Sequence, residues 1–170
     1  MKGLAISEKN GWEFVTLEAM YSLAARWPEF ELIPTGLDRE IAVLAYSPLH
    51  AGPLTGKYRR DQPWPEGTRF STYKDAGTKW PFATEKLFTL FDELTKIAQE
   101  HNGSVSQAAL NWVLQKAGVC SAIIGTRTPA QLEDNLGAMK WKLTDEEMTK
   151  LDKLTEPEHQ YPYDSRLIRG

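Results

Sequence analysis

Short apolar runs alternate along the chain with longer stretches in which apolar residues return every three or four positions. Three runs read as strands. Phe14 to Leu17 is a short one, Ile41 to Tyr46 is closed by Ser47-Pro48, and Cys120 to Ile124 is the third. The last two are continuous, as expected of strands buried on both faces. Met1 to Asn10 reads as the end of a helix, stopped by Asn10-Gly11. Glu29 to Arg39 is weakly helical and interrupted by Pro34 and Gly36. The most regular helix carries Leu87, Leu90, Phe91, Leu94, Ile97 and Ala98 on one face, and Asn102-Gly103 closes it. Three capping boxes follow. Ser104 with Gln107 opens a helix that Gly118 ends, and Thr128 with Gln131 opens one with Pro129 at its first position. Thr144 with Glu147 opens a helix through Met148, Leu151 and Leu154. Residues 50–81, rich in Gly, Pro and basic side chains, read as one long ordered loop, and the tail from Glu156 is polar.

Strands alternating with helices predict an α/β chain with a parallel sheet and right-handed crossovers. No repeat or boundary divides it, so residues 1–170 form a single domain. Three strands cannot close a barrel and leave two unpaired edges, so completion by oligomerisation or a rearranged fold is expected.

Composition narrows the function classes. The chain has 170 residues, 41% of them hydrophobic and 25% charged, with a net charge of -3. The basic residues form no stripe, so a nucleic-acid partner is not expected. No apolar run reaches a membrane-spanning length and no signal-peptide pattern opens the chain. Cys120 is the single cysteine, which excludes a disulfide framework and makes a reducing cytoplasm the default. Three histidines without suitable neighbours predict no metal site.

Two stretches carry candidate chemistry. In residues 124–135 an apolar run ends at Gly125 and a capped helix begins about three residues later. The N–H groups of such a helix start are free to hold an anion, and the helix dipole favours one. Gly125 allows close backbone approach, and Arg127 suits bidentate contact with phosphate. Gln131 and Asn135 lie one turn apart and can hydrogen-bond a flat polar ring. The same pattern also fits a solvated loop arginine and two surface amides. In residues 45–58, Tyr46 ends a strand where parallel α/β folds place ligands, and its ring can stack on a planar group. Ser47 and Lys57 can meet phosphate oxygens. A buried tyrosine followed by a turn gives the same spacing.

Tyr46-Ser-Pro-Leu49, Leu54-Thr-Gly-Lys-Tyr58 and Gly125-Thr-Arg-x-Pro-x-Gln-Leu-Glu-Asp-Asn135 together resemble the aldo-keto reductase superfamily, in the bacterial branch related to the potassium-channel beta subunits. Nearly the whole chain is covered, from inside the fifth helix onward. Phe14 to Leu23 resembles the sixth strand and the turn after it, Ile41 to Tyr46 the seventh, and Ala122 to Gly125 the eighth. The resemblance implies a partial (β/α)8 TIM-type barrel with an NADP(H) site. Tyr46 would stack on the nicotinamide, and Ser47, Pro48, Leu49 and Ala51 would lie along the pyrophosphate, with Lys57 as a phosphate contact. Arg69 would help cover the cofactor within the 50–81 loop. Gly125 and Arg127 would take the ribose 2′-phosphate, and Gln131, Asp134 and Asn135 the adenine end. Glu18 stands where the family pattern has a glutamine for the nicotinamide carboxamide.

The same resemblance puts the catalytic Asp, Tyr, Lys and His on earlier strands, which would precede Met1. No Asp-Thr-Ala-x-x-Tyr-Gly motif occurs in the chain. His50 is expected to be a solvated loop residue, His101 a helix C-terminal cap and His159 a tail residue. The expectation is a chain with no catalytic residues of its own, inactive alone. Either a complementing amino-terminal half or a second copy restores the family activity, or the chain is a non-enzymatic nucleotide-binding or interaction module, or a remnant without selected function.

Overall fold

A computed structural model describes residues 2–60, 62, 65–68 and 84–158 of the chain. Arg69, His159 and most of the second half of the 50–81 loop lie outside the described residues. Helix α1 (Lys2–Asn10) leads to strand β1 (Thr16–Met20), then a 3-10 turn (Trp27–Glu29) and helix α2 (Leu32–Asp38). Strand β2 (Ala42–Tyr46) and a 3-10 turn (Pro53–Thr55) precede helices α3 (Glu85–Glu100) and α4 (Val105–Leu114). Strand β3 (Val119–Ile123), helix α5 (Pro129–Leu136), a 3-10 turn (Gly137–Lys140) and helix α6 (Asp145–Leu154) follow.

The three strands are parallel in the order β1-β2-β3, so the fold is α/β with an open sheet. Register pairs Ala19 with Ala45 and Ala45 with Ala122 on one face, which the helices cover. The opposite face carries Glu18, Leu44 and Ser121 in one row and Met20, Tyr46 and Ile123 in the next. Tyr46 and Ile123 remain about two-fifths exposed. The strands have therefore kept a parallel arrangement, without the rearrangement that the sequence left open. Among the described residues no helix is long and apolar enough to cross a membrane.

All three strand readings are corrected in part. The first strand lies at Thr16–Met20, and Phe14 and Val15 stay exposed before it. The third begins one residue earlier than the apolar run and is not buried on both faces, since Cys120 and Ile123 are exposed. Nor is the central strand buried on both faces: its burial alternates and Tyr46 is 41% exposed, because the sheet face carrying Leu44, Tyr46 and Ile123 is left open among the described residues. The weak helix after β1 divides at Phe30 and Glu31, and Pro34 sits third in α2. The first four N–H groups of a helix have no partner in it, so proline is tolerated there. Gly36 is required by contact: a Cβ there would lie 2.8 Å from the Ile41 carbonyl oxygen.

Helix α3 buries all six apolar residues of its periodic face against the core, each worth roughly 1.5–3 kcal/mol where the side chain is large. Thr84 caps its first turn. Of the three boxes only the third is reciprocal. Ser104 accepts from the Gln107 N–H, but the Gln107 side chain is drawn away to Asp134 and Trp141. Thr128 accepts from the Gln131 N–H, while the Gln131 oxygen caps the neighbouring Arg127 N–H. At α6, Thr144 and Glu147 bond one another's backbone.

Glu147 also holds the ring of His101 at 2.9 Å, and that ring stacks on Trp141. His101 is the C-cap residue of α3, as the sequence implies. Burial raises the Glu147 pKa, but the Thr144 N–H and the His101 ring outweigh it and hold the carboxyl below its ordinary value. A carboxyl depressed by folding stabilises above its unfolded pKa, and the contribution fades as pH falls through the folded one. Glu147→Ala is expected to cost about 1 kcal/mol at pH 7, in the range of a lost cap, and the deficit is expected to shrink below pH 4. Urea denaturation of both proteins at the two pH values checks it.

Candidate nucleotide-binding site

The carboxyl ends of parallel strands are where α/β folds gather ligand groups, because each chain turns there from strand to helix. Tyr46 and the segment beyond Ile123 lie at this end of the sheet, with Glu18 in the preceding row beside Leu44. Tyr46 is flanked in register by Met20 and Ile123 and is partly exposed. Glu18 is exposed on the same sheet face.

Beyond Tyr46 the backbone is strained. Ser47, His50 and Ala51 have φ of 52, 51 and 58 degrees, and Gly52 follows at 121. Left-handed conformations cost roughly 1–2 kcal/mol each in residues with a Cβ. Strain of this kind concentrates at ligand sites. The turn is held by the His50 N–H to the Ser47 carbonyl at 2.8 Å and the Gly52 N–H to Leu49 at 2.9 Å. Pro48 is buried and Leu49 packs against the core, while Ala51 is exposed. Lys57 folds back over the turn: a Cβ on Gly52 would meet its Nζ at 3.2 Å. Tyr58 beside it is a core residue, 2% exposed. His50, expected in solvent, is 7% exposed, and burial pushes its pKa down. The turn folds inward beneath Ser47, which the sequence spacing did not reveal.

At the end of β3, Gly125 is exposed and nothing lies within 4 Å of a Cβ built there, so packing does not demand a glycine. Arg127 is exposed at the start of α5. Its N–H donates to Gln131 at 2.8 Å, and its guanidinium lies 3.5 Å from the Gly67 carbonyl. Among the described residues no carboxylate pairs with Arg127. A cation without an acidic partner, beside the positive end of the helix dipole at a capped helix start, suits an anionic ligand. That donor chemistry fits a phosphate.

The adenine-end trio separates. Gln131 is exposed, and Asn135 is 8% exposed. Asp134 turns to α4, accepting from the Ser104 hydroxyl and the Gln107 amide, both at 2.9 Å. It thereby fixes the angle at which α5 presents Arg127. Sequence reasoning missed this tie, because Ser104 and Gln107 had been matched to each other. Gly67 was also missed; only proximity in space links it to Arg127.

Comparison with known proteins agrees with the geometry. An aldo-keto reductase of Strobilurus tenacellus is 33% identical over 144 residues, covering 84% of this chain and 41% of that protein. The NADH-specific methylglyoxal reductase of Escherichia coli strain K12 is 31% identical, covering 85% and 43%. Among solved structures, the glycerol dehydrogenase of Gluconobacter oxydans matches with a TM-score of 0.65 and 33% identity, over 86% of this chain and 45% of that one. The chain spans less than half the length of these relatives. The aldo/keto reductase family model matches residues 3–156, and the chain belongs to that family.

Proposed function

We propose that the strand ends and α5 form the nucleotide-binding end of an NADP(H)-dependent aldo-keto reductase, and that this chain binds the dinucleotide without reducing carbonyls alone. The observation that carries the reading is Arg127, a cation with no carboxylate partner among the described residues, set at a capped helix start directly after β3. Its guanidinium would take the 2′-phosphate, with Gly125 leaving room. Tyr46 would stack on the nicotinamide, whose bound form supplies the hydride. Glu18 would accept from the carboxamide NH2 but, when ionised, cannot donate to its oxygen. Ser47 and Lys57 would lie along the pyrophosphate.

The proton that completes carbonyl reduction needs an acid beside the hydride path. Three candidates among the described residues are otherwise engaged. Tyr21 donates to Glu29, and burial with that carboxylate raises its pKa far above the ordinary tyrosine value. Tyr58 is in the core, and His101 is held by Glu147. A reducing compartment, the cytoplasm, suits the exposed Cys120 thiol.

Fluorescence titration tests the reading. Charge-assisted bonds contribute about 1.5–3 kcal/mol, so Arg127→Ala is expected to weaken NADPH binding by about ten- to a hundredfold. NADH, lacking the 2′-phosphate, is expected to bind both proteins alike. Undiminished NADPH binding by the variant overturns the assignment, and steady NADPH oxidation with methylglyoxal by the chain alone overturns its inactivity.

A further inference from the structure

Helix α5 presents Arg127 with little apolar anchorage. Of its eight residues only Asn135 is buried, and Leu132 and Leu136 are 41% and 44% exposed. A helix without a buried apolar stripe takes its position from polar ties. Among the described residues, the side-chain tie from α5 to another helix runs through Asp134. Its two oxygens accept from the Ser104 hydroxyl and the Gln107 amide at the start of α4, both at 2.9 Å.

The Gln107 side chain sits in a slot. The Trp141 indole N–H donates to its oxygen at 3.0 Å. An indole N–H can only donate, so that bond turns the Gln107 NH2 toward Asp134. The His101 ring stacks on Trp141 with centroids 4.4 Å apart and planes 16 degrees apart. Two glycines make the remaining room. A Cβ on Gly103 would lie 2.9 Å from the Gln107 oxygen, and one on Gly137 would lie 2.5 Å from its nitrogen. Neither glycine answers to its own backbone: Gly137 is right-handed helical at φ -56 degrees, and Gly103 has no positive φ. Glycine in such a backbone is less stable than alanine, and what both make room for is the Gln107 amide.

We propose that Gln107 is a positioning residue of the nucleotide end: its amide, seated between Trp141 and Asp134, fixes how α5 is turned and so where Arg127 stands for the 2′-phosphate. The inference rests on the NADP(H) reading for its consequence and on the slot for its cause. A charged group meets its ligand well only while the side chains behind it hold it in place. NADPH and NADH differ in that phosphate alone, so the ratio of their affinities reads the placement of Arg127. A general loosening of the fold lowers both affinities together.

Gln107→Glu keeps the size of the side chain and sets a carboxylate against Asp134. It is expected to lower the NADPH-to-NADH affinity ratio by about tenfold, the low end of what losing a charge-assisted bond costs. Adding Asp134→Asn is expected to restore most of the ratio, because the new amide donates to the new carboxylate and still accepts from Ser104. Gln107→Met, uncharged and of similar length, serves if the glutamate unfolds the chain, which circular dichroism reports. Hydrogen exchange without nucleotide gives a second readout. In Gln107→Glu the amides from Leu132 to Leu136 are expected to exchange about tenfold faster, the equivalent of one hydrogen bond, while those of α6 keep their rates. An unchanged ratio, an equal loss for both nucleotides, or no rescue by the paired change overturns the proposal. A parent chain that does not prefer NADPH overturns the NADP(H) reading instead. Exchange alone then decides, and unchanged rates along α5 overturn the hold of Gln107 as well.

Discussion

Truncating Trp112 to alanine is expected to lower the free energy of unfolding by about 3–5 kcal/mol, the range for removing a large aromatic from a packed core. Trp112 is fully buried, and its indole N–H donates to Asp152 at 3.0 Å. The Tyr21 ring lies 5.3 Å away, centroid to centroid, with the Arg26 and Lys116 cations at 5.3 and 4.8 Å from the indole centre. Three separate parts of the chain therefore meet on this one side chain: the segment after β1, helix α4 and helix α6. Alanine leaves a cavity that none of them fills alone. Urea denaturation reads the loss, and a cost below about 1.5 kcal/mol would show that the junction collapses onto the smaller residue.

Arg26→Met is expected to cost about 3 kcal/mol. The guanidinium, 8% exposed, grips Glu29 with two bonds, at 2.9 and 2.7 Å. Its remaining donor reaches the Asp152 carbonyl at 2.7 Å and the Thr155 hydroxyl at 2.9 Å. Removing one member of a buried ion pair typically costs 3–5 kcal/mol, because the other charge is left unpaired. Glu29 and Asp152 are 23% and 34% exposed and regain some hydration, which places the cost at the low end. Arg26→Lys is expected to recover only part of it, since an ammonium cannot reproduce the planar two-bond grip. Denaturation of the three proteins in parallel decides, and full rescue by lysine would mean that charge alone matters.

What was legible in the sequence followed from local rules. The amphipathic face of α3, the Asn10-Gly11 stop and the Thr144–Glu147 box each depend on neighbours within one turn, and the structure has all three. Motif spacing also brought Tyr46 and Arg127 to the same end of the sheet. The losses were tertiary. Cys120 and Ile123 read as core, but the sheet face that carries Tyr46 and Ile123 is open among the described residues, and no local pattern shows which face lacks cover. The tie of Asp134 to Ser104 and Gln107, 30 and 27 residues away and with a plausible local pairing of their own, was not visible either. His50 looked like a solvated loop residue, but the strained backbone from Ser47 to Gly52 folds the turn inward.

The most direct test of the nucleotide reading is where NADPH touches the chain. Backbone amide shifts of the 170-residue protein, followed by NMR as NADPH is added, are expected to move at Glu18, from Tyr46 to Ala51, and from Gly125 to Gln131. Amides along the outer faces of α3 and α6 are expected to stay in place. Shifts confined to another surface, or none at saturating nucleotide, would contradict the account.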